Sequence, residues 1–317
     1  MKKVLAIIIS IIMLIGLAAC SNSNADQVVK IGLLSIDDSL PFFMAEDLGL
    51  YEKHNVKVEL YTFQSAADKE AALEAGEIDG DMTDLVVTAL IRKGGTGVQI
   101  VSNALGAVPT EGRFMLIAAP ESGISKPQNL AGKEVAVGNN TIVHYLSDTI
   151  LAKAGLTDSE IKSTNIPALS LRLEALLNGT VDAAVLPDPL ASLAVMQGAI
   201  CVFDDTTSAD NLSQSIVLFR DDSLEKKQAE IGRCMDAYFE AMEYINDNPD
   251  GEDVRNAILE FTSIPDVLFD TYSTPSYSPR TLPSEDVIND TMAWMVKKGL
   301  LDSAYTYTDL VIDSFAK

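Results

Sequence analysis

Histidine, cysteine and tryptophan are scarce in these 317 residues: two His, three Cys and one Trp. A zinc site needs three or four nitrogen, sulfur or oxygen ligands, and two histidines in unrelated contexts do not suggest one. His54 stands in the polar turn Tyr51-Glu52-Lys53-His54-Asn55 and reads as a solvated ring. His144 follows a helix start beside a loop, where a plain helical role and a ligand contact are both open. Basic residues are scarce too, 23 Lys and Arg against 46 Asp and Glu, for a formal net charge of −23. A body this acidic, without a Lys/Arg cluster, excludes nucleic acid and electrostatic adhesion to anionic lipid as partners. An anionic small molecule stays open, since helix N-termini bind anions even inside acidic proteins. G-x-S-x-G, G-x-x-x-x-G-K-[ST], G-x-G-x-x-G and H-E-x-x-H are all absent, so no catalytic, cofactor or metal motif marks the chain as an enzyme. Gly132-Lys133 ends no phosphate loop, because Pro127 stands where the first Gly belongs.

What is present begins at the N-terminus. Lys2 and Lys3 precede the apolar run Val4 to Ile15, and Gly16-Leu17-Ala18-Ala19-Cys20 follows. A basic region, a short apolar core and small residues before a cut site make a signal peptide over residues 1–19. Leu17-Ala18-Ala19-Cys20 resembles a bacterial lipobox, which implies that Cys20 is lipidated, with palmitate among its acyl chains. Residues 20–27 are small and polar and read as a flexible tether. Two or more acyl chains give stable anchoring, so the expected location is the extracytoplasmic face of the cell membrane. No other apolar run is long enough to span a bilayer. Cys201 and Cys234, in an apolar strand-like run and a helical run, read as two buried thiols rather than a disulfide.

Leu73-x-x-Gly76-x-x-Asp79 recurs as Leu176-x-x-Gly179-x-x-Asp182. Each copy reads as a helix end, a Gly turn and a short buried strand, with Asp84 or Asp188 just beyond. Around them strand and helix signals alternate. Strands are expected over 28–34, 56–63, 78–82 and 98–101, with helices over 40–51, 66–75 and 85–93. A second series has strands over 114–119, 134–137, 181–186 and 200–203, with helices over 141–154 and 169–177. Such alternation means βαβ units and mostly parallel sheets, hence an α/β fold of two lobes. Residues 216–219 read as a strand returning to the first lobe, and the rest is helical. Ile288, Met292, Met295 and Val296 keep one face behind the N-cap Ser284, with Trp294 counted as core.

Open α/β sheets bind ligands at the carboxyl ends of their strands. The polar residues expected there are Asp38, Ser39 (with Leu40), Ser65, Thr83, Asp84 and Asn103 in the first lobe, and Asn139, Asn140, Thr141 and Asp188 in the second. Each alone is an ordinary cap or turn former. Together they are candidates to line an interlobe cleft, with Asp84 and Asp188 as opposing jaws. Phe42, Phe43, Tyr61, Phe63 and Tyr145 are candidates for an apolar wall, several of them necessarily core.

The run DSLPFFMAEDLGLYEKHNVKVEL, the segments AALEAGEIDG and ALLNGTVDAAVLPDPLA, and the lipobox together resemble the solute-binding lipoproteins of bacterial ABC importers. The branch is the NMT1/THI5-like one, which includes nitrate, alkanesulfonate, taurine and thiamine-pyrimidine-precursor receptors. The resemblance implies a bilobed periplasmic-binding-protein-like fold of type II, joined by two crossover strands near 116–119 and 217–219. Lobe 1 would then be 28–116 plus 217–317, and lobe 2 would be 117–216. It implies a monomeric receptor without cofactor that binds a small polar organic molecule and delivers it to a membrane permease and, through it, an ATPase. The implied ligand set is Asp38, Ser39, Leu40, Ser65, Thr83, Asp84, Asn103, Asn139, Asn140, Thr141 and Asp188. Asp188, where relatives often carry an acid followed by Pro, is placed by the resemblance to accept from an amine or ring N–H, which favours a ligand with a donor group over bare nitrate. No Arg stands in those loops, though Arg113 at the start of the first crossover is near, which counts against a purely anionic ligand. Two rivals stand beside this reading. One is a surface lipoprotein that senses or adheres without transport. The other is a pyrimidine-precursor enzyme of the same fold, which would need a Cys-rich segment and pyridoxal phosphate.

Overall fold

Gly76 and Gly179 both adopt positive φ, 75° and 66°, a region that costs a residue with a Cβ and that ends helices. After each, the chain turns into a buried strand, and the acid closing the repeat clamps the neighbouring strand. Asp79 Oδ2 accepts from the Lys30 backbone N–H at 2.8 Å, and the Asp79 N–H donates to the Lys30 carbonyl at 2.8 Å. Asp182 does the same to Glu134, at 2.9 Å through its side chain and 3.1 Å through its N–H. The two copies are thus equivalent units of two sheets. The computed structural model describes residues 27–316 apart from 113, 209–211, 263 and 271. The signal segment, Cys20, the tether up to residue 26 and Arg113 lie outside the described residues.

The first series runs β1 (Val29–Leu34), α1 (Leu40–Asp47), α2 (Leu50–Lys53), β2 (Val58–Phe63), α3 (Ala66–Glu74), β3 (Gly80–Asp84), α4 (Leu85–Lys93) and β4 (Val98–Leu105). The second runs β5 (Phe114–Ala118), β6 (Glu134–Val137), α5 (Ile142–Lys153), β7 (Lys162–Asn165), α6 (Leu169–Leu177), β8 (Ala183–Pro187), α7 (Leu190–Met196) and β9 (Ile200–Asp204). Then come β10 (Ser215–Arg220), α8 (Asp221–Asp247), α9 (Glu252–Thr262), α10 (Glu285–Lys297) and α11 (Tyr307–Leu310). The sheets order as β2-β1-β3-β10-β4 and β7-β6-β8-β5-β9. In each, the one strand antiparallel to its neighbours, β10 or β5, is the one that arrives from the other lobe. The chain therefore passes between the sheets after β4 and again after β9. The crossover strands expected near 116–119 and 217–219 overlap β5 and β10, the two strands that enter each sheet from the other.

Other departures have local causes. The helix expected over 40–51 breaks at Gly49, which takes φ 66°. β7 has no apolar pattern to find, being the polar, largely exposed edge strand Lys162–Asn165, as sheet edges tend to be. Cys234 is buried in α8, where burial pushes its thiol well up. Cys201 is exposed on the edge strand β9 rather than buried. His54 is not simply solvated: its Nε2 lies 2.8 Å from Glu240 Oε2 on α8.

One buried apolar cluster centres on β1, α1, α8 and α9 of the first lobe. A second is continuous between the lobes, joining Val86 and Val87 of α4 and Met292 and Met295 of α10 to Val143 and Leu146 of α5. At ~25 cal/mol per Å² of apolar area, such a shared core favours the closed arrangement. Among the described residues, no helix is long and apolar enough to cross a membrane.

Candidate interlobe binding site

Strand ends of both sheets meet across a cleft of about 720 Å³. From the first lobe, Ile36 and Asp38 follow β1, Met82 to Asp84 end β3, Ser215 starts β10, and Ala66, Ala67, Lys69 and Glu70 come from the first turns of α3. From the second, Phe114 starts β5, Gly138, Asn139, Thr141, Ile142 and Val143 come from the start of α5, Pro167, Leu169 and Arg172 from the start of α6, and Pro187 ends β8. The wall is mostly apolar with a few converging charges, the usual make-up of a small-molecule site.

Asp84 joins the lobes. Its Oδ1 caps α4 by accepting from the Val87 N–H at 2.9 Å, and its Oδ2 accepts from the Ile142 N–H, at the start of α5, at 3.0 Å. Thr141, the N-cap of α5, donates its hydroxyl to the Gly138 carbonyl at 2.7 Å instead of capping the helix. One carboxylate thus occupies the positive ends of two helices from different lobes. Burial raises its pKa against those N–H donors.

The remaining charges are asymmetric. Lys69 Nζ is 2.6 Å from Asp81 Oδ2, and both side chains are buried. Arg172, also buried, donates from Nε to the Ile166 carbonyl at 2.9 Å, from Nη1 to that of Val185 at 3.1 Å and from Nη2 to that of Pro167 at 3.2 Å. Burial alone lowers it to about 10. Burial pushes Asp38 up to about 6, opposed by hydrogen bonds from Ser215 and from its own backbone, and Asp84 adds to the rise. Burial likewise pushes Glu70 up to about 8 against the pull of Lys69. Glu70 Oε1 is buried and has no hydrogen-bond partner among the described residues.

Of the expected ligand set, Asp38, Thr83, Asp84, Asn139 and Thr141 line this cleft. The others lie off its lining. Leu40 is fully buried in the apolar cluster of the first lobe, and Ser39 beside it has an enclosed hydroxyl. Ser65 caps α3 by accepting from the Asp68 N–H at 3.2 Å. Asn103 donates to Thr281 Oγ1 at 3.2 Å and so ties β4 to the C-terminal loop. Asn140 turns the chain at φ 62° and donates its N–H to His144 Nδ1 at 3.2 Å. Asp188 caps α7, accepting from the Ser192 N–H at 2.8 Å, and lines a separate crevice with Asp37. Of the aromatic candidates, Phe42 pairs with Tyr238, Phe43 stacks on Phe261 and Tyr145 meets Trp294 edge-on. Phe63 is packed in part against the interlobe cluster and Tyr61 is exposed. The ring that lines the cleft is Phe114.

Lys69, Glu70, Arg172 and Ser215 were not anticipated, yet one signal was available. The repeat extends a turn upstream: Lys69 precedes Leu73 by four residues just as Arg172 precedes Leu176. Positions four apart share a helix face, so both cations face where the repeat's helices face. Where β3 offers Lys69 the buried Asp81, the equivalent position in β8 is Ala184, and Arg172 turns to carbonyls.

Among the described residues, no group of three His, Cys, Asp or Glu is arranged to hold a metal ion. The hydroxyls of Ser215, Thr83 and Thr141 have no imidazole or thiol beside them in the lining, so the triad logic of an activated nucleophile is not built here. What the cleft is built to do is enclose a small molecule between two lobes.

The family model of the NMT1-like family matches residues 22–259. A putative aliphatic sulfonates-binding protein of Escherichia coli (strain K12) is 25% identical over 244 residues, covering 76% of this chain and 74% of that protein. Among solved structures, the ligand binding component of an ABC-type import system from Staphylococcus aureus, with zinc bound, matches with a TM-score of 0.77 at 14% identity. That match covers 92% of this chain and 98% of the other. The alkanesulfonate-binding protein of Xanthomonas axonopodis pv. citri, bound to MOPS, matches with a TM-score of 0.76 at 18% identity, over 89% and 97% of the two chains. At such identities the structural likeness carries the fold, which is the bilobed one expected.

Proposed function

The chain belongs to the NMT1-like family, and from that premise we propose that it is the solute-binding receptor of an ABC import system. It takes a small polar organic molecule in the interlobe cleft and hands it to a membrane permease driven by an ATPase. The observation that carries the reading is the cleft itself, lined from both lobes and bridged by Asp84 to Ile142 at 3.0 Å. The chain crosses between the lobes only after β4 and after β9 among the described elements, and hinge closure around a ligand is how such bilobed receptors work. The cleft offers recognition without chemistry: backbone and carboxylate acceptors, two cations and an apolar wall.

The rest of the reading follows from the N-terminal sequence. Residues 1–19 are a signal peptide, Cys20 carries the lipid, and the receptor acts as a monomer at the extracytoplasmic face of the membrane. The relatives named above, called sulfonate-binding proteins and an import-system component, support the class of activity. A ligand held in the closed cleft stabilises the folded form by about 2.7 kcal/mol at a hundred times its Kd. Native mass spectrometry of the purified protein identifies whatever small molecule it carries, and thermal shift with that molecule measures the gain. A protein that carries no small molecule and gains no thermal stability from sulfonates, amino compounds or heterocycles is not such a receptor.

A further inference from the structure

The three acids that line the cleft are not equivalent. Asp84 is compensated by the N–H groups of Val87 and Ile142. Asp38 is compensated in part by Ser215. Glu70 keeps a buried carboxylate oxygen with no partner, an arrangement that costs free energy unless a ligand supplies the donor. The cations do not offset it. Lys69 is engaged with the buried Asp81 at 2.6 Å, and Arg172 is held in the opposite wall by three carbonyls. Among the described residues, the first-lobe wall of the cleft therefore presents a carboxyl with unmet hydrogen-bonding capacity to whatever it encloses.

Resting on the receptor reading above, we propose that Glu70 binds a positively charged nitrogen of the ligand. The cargo class is then an organic cation or zwitterion, an amine, amidine or protonated aminoheterocycle, rather than a simple sulfonate or nitrate. Glu70 is the residue that sets this specificity. A cationic nitrogen placed against it completes its hydrogen bonding and replaces the proton that burial otherwise forces onto it. A sulfonate in the same place brings no donor to Glu70 and meets like charge once that carboxyl is ionised.

Proton linkage gives the proposal a second handle. Burial holds Glu70 near pKa 8, so below that value the carboxyl is neutral and a cation must displace its proton. The groups that face it are Lys69 and Glu74 on its own helix and Asp81 and Asp84 on β3, with Arg172 on the far wall. Arg172, lowered only to about 10, and a strong organic base hold their charge from pH 6.5 to 8.5, so Glu70 governs the change in that interval. Each pH unit below its value weakens a bound cation by up to about tenfold.

The test is calorimetric titration of the wild-type protein and Glu70→Gln with benzamidine, 4-aminopyridine and taurine, and with ethanesulfonate and nitrate as nitrogen-free or inorganic anions. The expected result is binding of at least one nitrogen cation or zwitterion, at least about tenfold tighter at pH 8.5 than at pH 6.5. Glu70→Gln, close in shape, should weaken it by about tenfold or more and abolish the pH dependence. Circular dichroism and melting of the variant separate lost recognition from lost folding. Binding of ethanesulfonate or nitrate by wild type, undiminished in Glu70→Gln, overturns the inference and leaves the receptor reading standing. Failure of every compound to bind, together with the absence of any co-purified small molecule, overturns both.

Discussion

The Asp84 carboxylate of the first lobe accepts a hydrogen bond from the Ile142 backbone N–H of the second at 3.0 Å. Its other oxygen holds the Val87 N–H at 2.9 Å, so one side chain caps a helix in its own lobe and a helix in the opposite one. Asp84→Ala should lose both. Loss of a helix cap costs about 1–2 kcal/mol, which chemical denaturation will register. The loss of the cross-lobe bond should enlarge the radius of gyration measured by small-angle scattering, as the cleft opens more often. A variant with wild-type stability and wild-type dimensions would show that the contact is incidental.

Trp294 is the only tryptophan of the chain, and it sits where the lobes meet. From α10 its Nε1 donates to Asp148 Oδ2 on α5 at 3.1 Å, and its ring faces His144 and Tyr145 at centroid distances of 5.3 and 5.5 Å. Lys298 Nζ reaches the same Asp148 oxygen at 2.7 Å. Intrinsic fluorescence should therefore report lobe opening. Asp148→Ala should shift Trp294 emission to longer wavelength while the far-ultraviolet circular dichroism stays unchanged; an unshifted spectrum would place the ring in one lobe's core rather than at a moving interface.

The two repeat acids should differ in cost. Asp79 holds the Lys30 N–H, the Ser223 hydroxyl at 2.8 Å and Lys227 Nζ at 2.7 Å in a largely buried site. Asp182 holds the Glu134 N–H and a half-exposed Lys133 at 3.3 Å. Asp79→Ala takes the counter-ion from Lys227, leaving it the Val28 carbonyl at 2.8 Å, and should cost about 3 kcal/mol. Asp182→Ala should cost about 1 kcal/mol. Urea denaturation of the two variants decides it, and equal losses would contradict the difference in burial.

Stability should rise on mild acidification. Burial raises Glu70 to about 8, and it raises Asp205 to about 7 against hydrogen bonds from Ser213 and the Phe114 N–H. The folded chain thus binds these protons more tightly than the unfolded one. Their contribution is full below the unfolded carboxylate values near 4 and is lost as pH rises through 7 to 8. Burial lowers His144, which acts in the opposite sense: that contribution is lost as pH falls below about 6.5, where the unfolded imidazole takes a proton. Tm should therefore climb from pH 8.5 to about 6.5. In Glu70→Gln and Asp205→Asn the climb should shrink, and a Tm that falls across this interval would refute the assignment.

Much of the architecture was legible because its signals are local. α4 and α6 begin and end where periodicity places them, and Gly76 and Gly179 stop their helices because they alone tolerate positive φ cheaply. The candidate site was legible only in part. Asp38, Thr83, Asp84, Asn139 and Thr141 were found because strand ends carry polar caps, and the same rule returned Ser65, Asn103 and Asp188, which cap or tie elements away from the cleft. Lys69 and Arg172 escaped because a lone charge in a helix reads as a solvated face, and nothing in the linear order distinguishes one that is buried.

By itself, then, the sequence determined the two equivalent helix–turn–strand units and the α/β class, since each depends on residues near in the chain or on strict period. Only the tertiary structure decided that Asp84 spans two lobes, that Asp81 neutralises Lys69 while Ala184 leaves Arg172 to carbonyls, and that Glu70 faces the cleft with an oxygen unsatisfied. Those outcomes rest on desolvation and on distances between residues up to 58 apart in the chain, and neither quantity exists until the lobes have packed.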